Sequence, residues 1–283
     1  MILPAVAQRF GAAVLALVIT VDAPPSLELA AARIRGIDQQ DLEQSLIRAG
    51  LELPPEITVM LVPEDAPFAR ESPRWMVGRA FGARDIAIFP ARVTSYPYDS
   101  LESVLRHEVV HLALFARAAG RPLPRWFHEG VATSVEAGWG VGDELRLVVA
   151  ALAGPSIEEV SELFRSPAQP DTMLAYLLAA ALVNDVRERH GADVPGRIAA
   201  RVAAGTAFQQ AFAMETGETV DAAAARAWKS YRRWTNWVPA VASASAVWTL
   251  ILVLAFAAFL VRMRQRLLRR RRWAEEDEWP VDE

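Results

Sequence analysis

The spacing of hydrophobic and polar positions changes character twice along this chain. Between residues 27 and 50, Leu27, Leu29, Ile34, Ile37, Leu42, Leu46 and Ile47 recur among charged residues and the stretch closes on Gly50, which predicts helix. From 57 to 92 the runs ITVMLVP, WMVGRAF and DIAIFPAR are short and β-prone, and Pro63, Pro67, Pro73 and Gly82 separate them. They predict a small sheet. Past Tyr98 the period becomes helical. Asp99 is placed to cap a helix with Glu102 at the reciprocal position, and Leu101, Val104, Leu105, Val109, Leu112 and Phe115 follow until Gly120 and Pro122 stop it. A second helix is expected from Pro124, carrying Trp126, Phe127, Val131 and Val135. Others are expected at about 156–165, 171–190, 195–215 and 219–234. The order predicts an α+β fold, with a small N-terminal sheet followed by a mainly helical domain.

Two apolar segments stand outside this pattern. Phe10 to Val21 is uncharged, follows Arg9, and precedes Ala23, Pro24 and Pro25. It is too short to span a bilayer and fits a secretory signal ending at residue 23. Thr235 to Val261 is 27 residues without a charge. As a helix it would be roughly 40 Å long against a hydrocarbon layer of roughly 30 Å, so one C-terminal transmembrane helix is expected. The seven arginines between Arg262 and Arg272 outweigh the basic residues before the span. That balance orients the tail 262–283 toward the cytoplasm and residues 24–234 away from it. The expected partners therefore include a lipid bilayer, and the expected location is a single-pass cell membrane.

Composition narrows the chemistry. A net charge of -4 gives no general attraction to nucleic acid. With no cysteine, neither a disulfide framework nor a thiolate metal site is possible, so any metal must sit on histidine and carboxylate.

The segment 107–111 reads HEVVH and lies within the first of the later helices. Four residues apart, His107 and His111 face the same way and can each offer a ring nitrogen to one metal ion. Glu108 is adjacent to that face, where it can take a proton from an attacking water and pass it to a departing amine. A third protein ligand must come from elsewhere. The turn from Gly120 to Pro124 returns the next helix beside the first, which brings His128 and Glu129 into range and leaves Glu136 two turns further along. Imidazole and carboxylate are both good zinc ligands, so ligand chemistry alone does not choose between His128 and Glu129.

HEVVH followed after 17 residues by Glu129 within PRWFHEGVA resembles the gluzincin metallopeptidases, and in particular the peptidase MA-like domain family. The resemblance is most specific over 104–135 and extends loosely over 57–234, including AYLLAAALVNDVRERHG at 175–191. It implies a zincin-like fold, Zn2+ held by His107, His111 and Glu129, and Glu108 as general base. It also implies an oxyanion-stabilising aromatic, for which Tyr176 is the nearest candidate, and DIAIFP at 85–90 as the strand that pairs with an extended peptide. The implied activity is zinc-dependent hydrolysis of a peptide or protein outside the cytoplasm by a membrane-anchored enzyme. The competing expectation is a membrane-tethered binding or assembly factor with a retained, non-catalytic metal. The intact Glu108 argues against it, because a purely structural site gains nothing from a base beside an open metal position.

Overall fold

The computed structural model describes residues 17–93, 100–136, 147, 150, 153–166, 168–235 and 251–264. The chain divides into two units, Met1–Lys229 and Ser230–Glu283.

The first unit begins with a four-stranded sheet in the order β1-β2-β4-β3, formed by β1 (Val18–Asp22), β2 (Glu56–Leu61), β3 (Gly78–Phe81) and β4 (Asp85–Ile88). β1, β2 and β4 are parallel, and β3 runs antiparallel to β4. β2 alternates, with Ile57, Val59 and Leu61 buried and the intervening residues more exposed, as a half-covered strand requires. Val18–Asp22 falls within the segment expected as a signal ending at residue 23. Its β-branched run pairs with Glu56–Met60 as an edge strand of the sheet, so a chain cut after Ala23 would lack β1. Residues 1–16 of that expectation lie outside the described residues.

Between β1 and β2, the helix expected over 27–50 is two, α1 (Glu28–Arg35) and α2 (Gln39–Arg48). Gly36 ends the first, and the Asp38 carboxylate starts the second by accepting the Asp41 N–H at 3.0 Å. After β2 come α3 (Pro67–Glu71) and then the helical body: α4 (Leu101–Arg117), α5 (Arg125–Glu136), α6 (Ile157–Leu163), α7 (Gln169–His190), α8 (Val194–Ala203), α9 (Phe208–Thr216) and α10 (Val220–Thr235). The helix expected over 195–215 is divided between α8 and α9 at Gly205, whose φ of +100° suits glycine. Cap chemistry also differs by one residue at α4. Asp99 lies outside the described residues, and the cap is a reciprocal box between Ser100 and Ser103.

The core of the helical body centres on α7, where Ala175, Leu178, Ala179, Ala180, Ala181 and Leu182 are fully buried. Small side chains let neighbouring helices come close. At Gly130 on α5 even a methyl group would not fit, since a Cβ there would lie 2.6 Å from the Ala179 carbonyl oxygen of α7. Trp228 of α10 is buried as well and donates its indole N–H to the Pro155 carbonyl at 2.8 Å.

The sheet and the helices after it agree with the expected order, but the expected membrane span needs correction. Among the described residues, no helix is long and apolar enough to cross a membrane. Within 235–261 and just beyond, Thr235 closes α10 and the described residues of the second unit, 251–264, are helical. Residues 236–250, the rest of the expected span, and 265–283, most of the expected tail, lie outside the described residues. This corrects the transmembrane part of the fold, the bilayer as partner, the single-pass location with its two-sided topology, and the membrane-anchored form of both expected functions.

Candidate metal centre

Helix α4 is fixed before its functional residues are reached. The Ser100–Ser103 box satisfies its first turn, and Val104, Leu105, Val109 and Leu112 are buried. Arg106 pairs with Asp41 of α2 at 2.8 Å. Along this helix the i, i+4 spacing sets the rings of His107 and His111 edge to face, 4.8 Å between centroids. His107 is buried and His111 partly open.

The chain then reverses through Ala119 and Gly120, both at positive φ, and Pro124 accepts the N–H groups of Phe127 and His128 to open α5. On α5 the rings of Trp126 and Phe127 form an aromatic cluster with Phe208 and Phe212 of α9. With one side of α5 committed to α9 and Gly130 committed to α7, Glu129 is directed at the two histidines. Its Oε2 lies 3.3 Å from His107 Nε2 and 3.5 Å from His111 Nε2. One ligand atom from each of the three residues falls within 4.8 Å of the others, so His107, His111 and Glu129 could hold a metal ion.

The distances themselves test that fit. Donors bonded to a tetrahedral zinc at about 2.0 to 2.2 Å stand roughly 3.3 to 3.5 Å apart along an edge of the tetrahedron. Both histidine-to-glutamate separations match such an edge. The remaining oxygen, Oε1, faces Arg125 Nε at 3.6 Å, so the carboxylate turns one oxygen to the imidazoles and the other to a guanidinium. Burial opposes ionisation of Glu129, but the two imidazoles outweigh it and hold the carboxyl well below the usual range.

Glu108 is buried beside the cluster and outside it. Burial raises its carboxyl above the ordinary value against the pull of His111 and His107. Its Oε2 accepts the backbone N–H of Ala80 at 2.7 Å, a contact from the sheet to the helix.

Tyr176 of α7 lies near the site, with its ring 6.3 Å from that of His107 and 5.3 Å from Phe164. Burial and the Glu129 carboxylate push its hydroxyl well above the ordinary range, so it is a neutral donor. His128 is not part of the three-residue cluster. Its ring sits 5.6 Å from His111, and burial together with His111 pushes its pKa down to about 4, which keeps it neutral. Glu136, at the end of α5, is likewise not in the cluster.

The strand expected to meet a peptide needs correction. DIAIFP contains β4, whose two edges are taken by β2 and β3. Among the described residues the edge strands are β1 and β3, and β3 is the one that reaches the site through Ala80. The sequence pattern does not single out Arg125, Gly78 and Ala80 as neighbours of the site. A glycine inside the strand-like run WMVGRAF is the available sign, since such a glycine often marks a close backbone approach.

No protein-family model, curated protein or solved structure matches the chain. The functional reading therefore rests on these residues and their geometry.

Proposed function

We propose that this protein is a zinc-dependent peptidase of the gluzincin type, with His107, His111 and Glu129 holding the ion and Glu108 acting as general base. The observation that carries the reading is the convergence of two imidazole nitrogens and one carboxylate oxygen within 4.8 Å of one another, with both histidine-to-glutamate separations matching a tetrahedral edge, beside a buried carboxylate that takes no part in the cluster. Three protein ligands leave a fourth position open, as catalytic sites need. Histidine and carboxylate without thiolate suit Zn2+.

When bound, zinc supplies a Lewis acid that polarises a carbonyl and makes water a better nucleophile at neutral pH. Glu108 accepts the proton of the attacking water and returns it to the leaving amine. Its burial keeps that proton from bulk solvent. Tyr176, neutral and beside His107, is the candidate donor to the developing oxyanion. Arg125 restrains Glu129 from the side away from the histidines, which favours coordination through a single oxygen.

The test uses the full chain, metal analysis and a diverse peptide library with and without chelator. Wild type should bind about one zinc, cleave peptides, lose activity to chelator and regain it with Zn2+. Glu108→Gln should keep its metal and lose at least about 100-fold in turnover, whereas His107→Ala should lose both. Full activity in Glu108→Gln would require another base. A metal-loaded wild type that cleaves nothing in the library would overturn the peptidase reading.

A further inference from the structure

The backbone of β3 makes an unexpected contact with the site. Phe89 donates its N–H to the Val77 carbonyl, and the register pairs Gly78 with Ile88 and Ala80 with Ile86. Hydrogen-bonded and non-hydrogen-bonded pairs alternate in an antiparallel ladder. Val77, Arg79 and Phe81 therefore turn their backbone groups toward β4, and Gly78 and Ala80 turn theirs to the free edge. It is from this free edge that Ala80 donates its N–H to Glu108 Oε2. One residue pair earlier, a Cβ on Gly78 would lie 2.7 Å from Glu108 Oε1, 3.0 Å from its Cγ and 2.8 Å from Val104 Cγ1. The φ of Gly78 does not call for glycine, so contact with Glu108 and Val104 is what excludes a side chain there.

We infer that β3 is the seat of the general base: the Ala80 N–H fixes one oxygen of Glu108, and Gly78 leaves room for the other. Both are positioning elements, since they act through Glu108, and the inference rests on the reading of Glu108 as the base. It adds a sheet-to-helix constraint that the HEVVH motif does not contain. A buried carboxylate on a flexible two-methylene stem can adopt several rotamers, and the edge of β3 selects one.

Two variants of the full chain test the seat from opposite sides. Gly78→Ala intrudes on the carboxylate. Ala80→Pro removes the donor without removing a ladder bond, because that N–H faces away from β4. Each should retain about one zinc per chain, since His107, His111 and Glu129 are untouched. Each should lose up to about 100-fold in kcat, as expected when a reacting group is misplaced by an ångström, with KM changed far less. Combining Gly78→Ala with Glu108→Asp, whose shorter stem withdraws from the added methyl, should cost much less than the product of the two single losses.

A third readout needs no turnover. Residue-resolved hydrogen exchange should find the Ala80 amide protected in wild type despite its place on a free edge, and at least about 10-fold less protected in Glu108→Ala. Unprotected Ala80 in wild type overturns the seat even if both β3 variants fail to fold. Metal-loaded Gly78→Ala with wild-type kcat overturns it as well. Wild type that neither binds zinc nor cleaves peptides, with Ala80 protected through Glu108, instead sinks the peptidase reading and leaves the contact standing without a catalytic role.

Discussion

The packing of α5 on α7 makes Gly130→Ala an informative perturbation, because it moves a metal ligand without changing one. The new Cβ would lie 2.6 Å from the Ala179 oxygen and 2.8 Å from Val183 Cγ2, against an ordinary contact of 3.4 Å or more. The shortfall at the oxygen is 3.4 − 2.6 = 0.8 Å. That atom belongs to the backbone of a buried helix and cannot rotate aside, so α5 must retreat by most of this amount. Overpacking of this kind costs about 1 to 3 kcal/mol, and the better helix propensity of alanine offsets about 1. The metal-free protein should therefore lose about 1 kcal/mol, a few degrees in melting temperature for a domain of this size.

The effect on metal should be larger. Glu129 precedes Gly130, and a coordination bond tolerates only about 0.2 Å of error, so a retreat several times greater should cut zinc affinity about 10- to 100-fold. Thermal unfolding with and without excess zinc, together with competition against a chromophoric chelator, separates the two effects. The gap between metal-loaded and metal-free melting should shrink in the variant, because stabilisation by a ligand follows its affinity. A variant less stable by about 1 kcal/mol but with wild-type zinc affinity would refute the idea that the α5–α7 distance sets Glu129. No change in either quantity would show that the close contact itself is not maintained.

Two further outcomes are expected. Glu129→Ala should lower zinc affinity more than 10-fold, whereas His128→Ala should keep about one metal per chain; the reverse pattern in metal analysis would reassign the third ligand. Glu215 is nearly buried between Arg197, which donates at 2.7 Å, and Arg201, and although burial opposes ionisation these partners hold its carboxyl below the ordinary value of 4.5. A depressed folded pKa contributes stability above the unfolded value that is lost as pH falls through the folded one. Glu215→Gln should therefore be less stable than wild type at neutral pH, and the difference should narrow below pH 4.5 in urea unfolding series. Parallel curves down to pH 2 would show that the Arg197–Glu215–Arg201 cluster contributes nothing measurable.

Much of the centre is legible in the sequence for local reasons. The period of a helix alone puts His107 and His111 on one face, and the residues flanking Gly120 announce a reversal that returns α5 to them. Glu129 requires more than spacing, since His128 is adjacent and chemically suitable. The choice depends on which way α5 is turned, and that is set by Phe208, Phe212 and the Ala179 backbone, about 50 to 80 residues downstream. Hydrophobicity is the less reliable guide at the chain's ends. It marks Phe10–Val21 and Thr235–Val261 by apolar content, but the β-branched stretch Val18–Val21 is equally suited to a sheet edge. Apolar content does not reveal whether a partner strand is waiting.

By itself, then, the sequence determined the features that neighbours within a few residues dictate: the sheet-then-helices order, the helix carrying HEVVH, the reversal, and a donor set restricted to histidine and carboxylate by the lack of cysteine. Tertiary structure alone decided the relations between distant segments. It set β3 rather than DIAIFP at the sheet edge beside the site, brought the Trp126 and Phe127 rings to Phe208 and Phe212 of α9, brought Arg125 to one oxygen of Glu129 while the other faces the histidines, and placed the Ala80 N–H on Glu108. The reason is physical: a helical or strand period encodes which face a residue occupies, whereas the identity of what covers that face depends on long-range packing that no local pattern records.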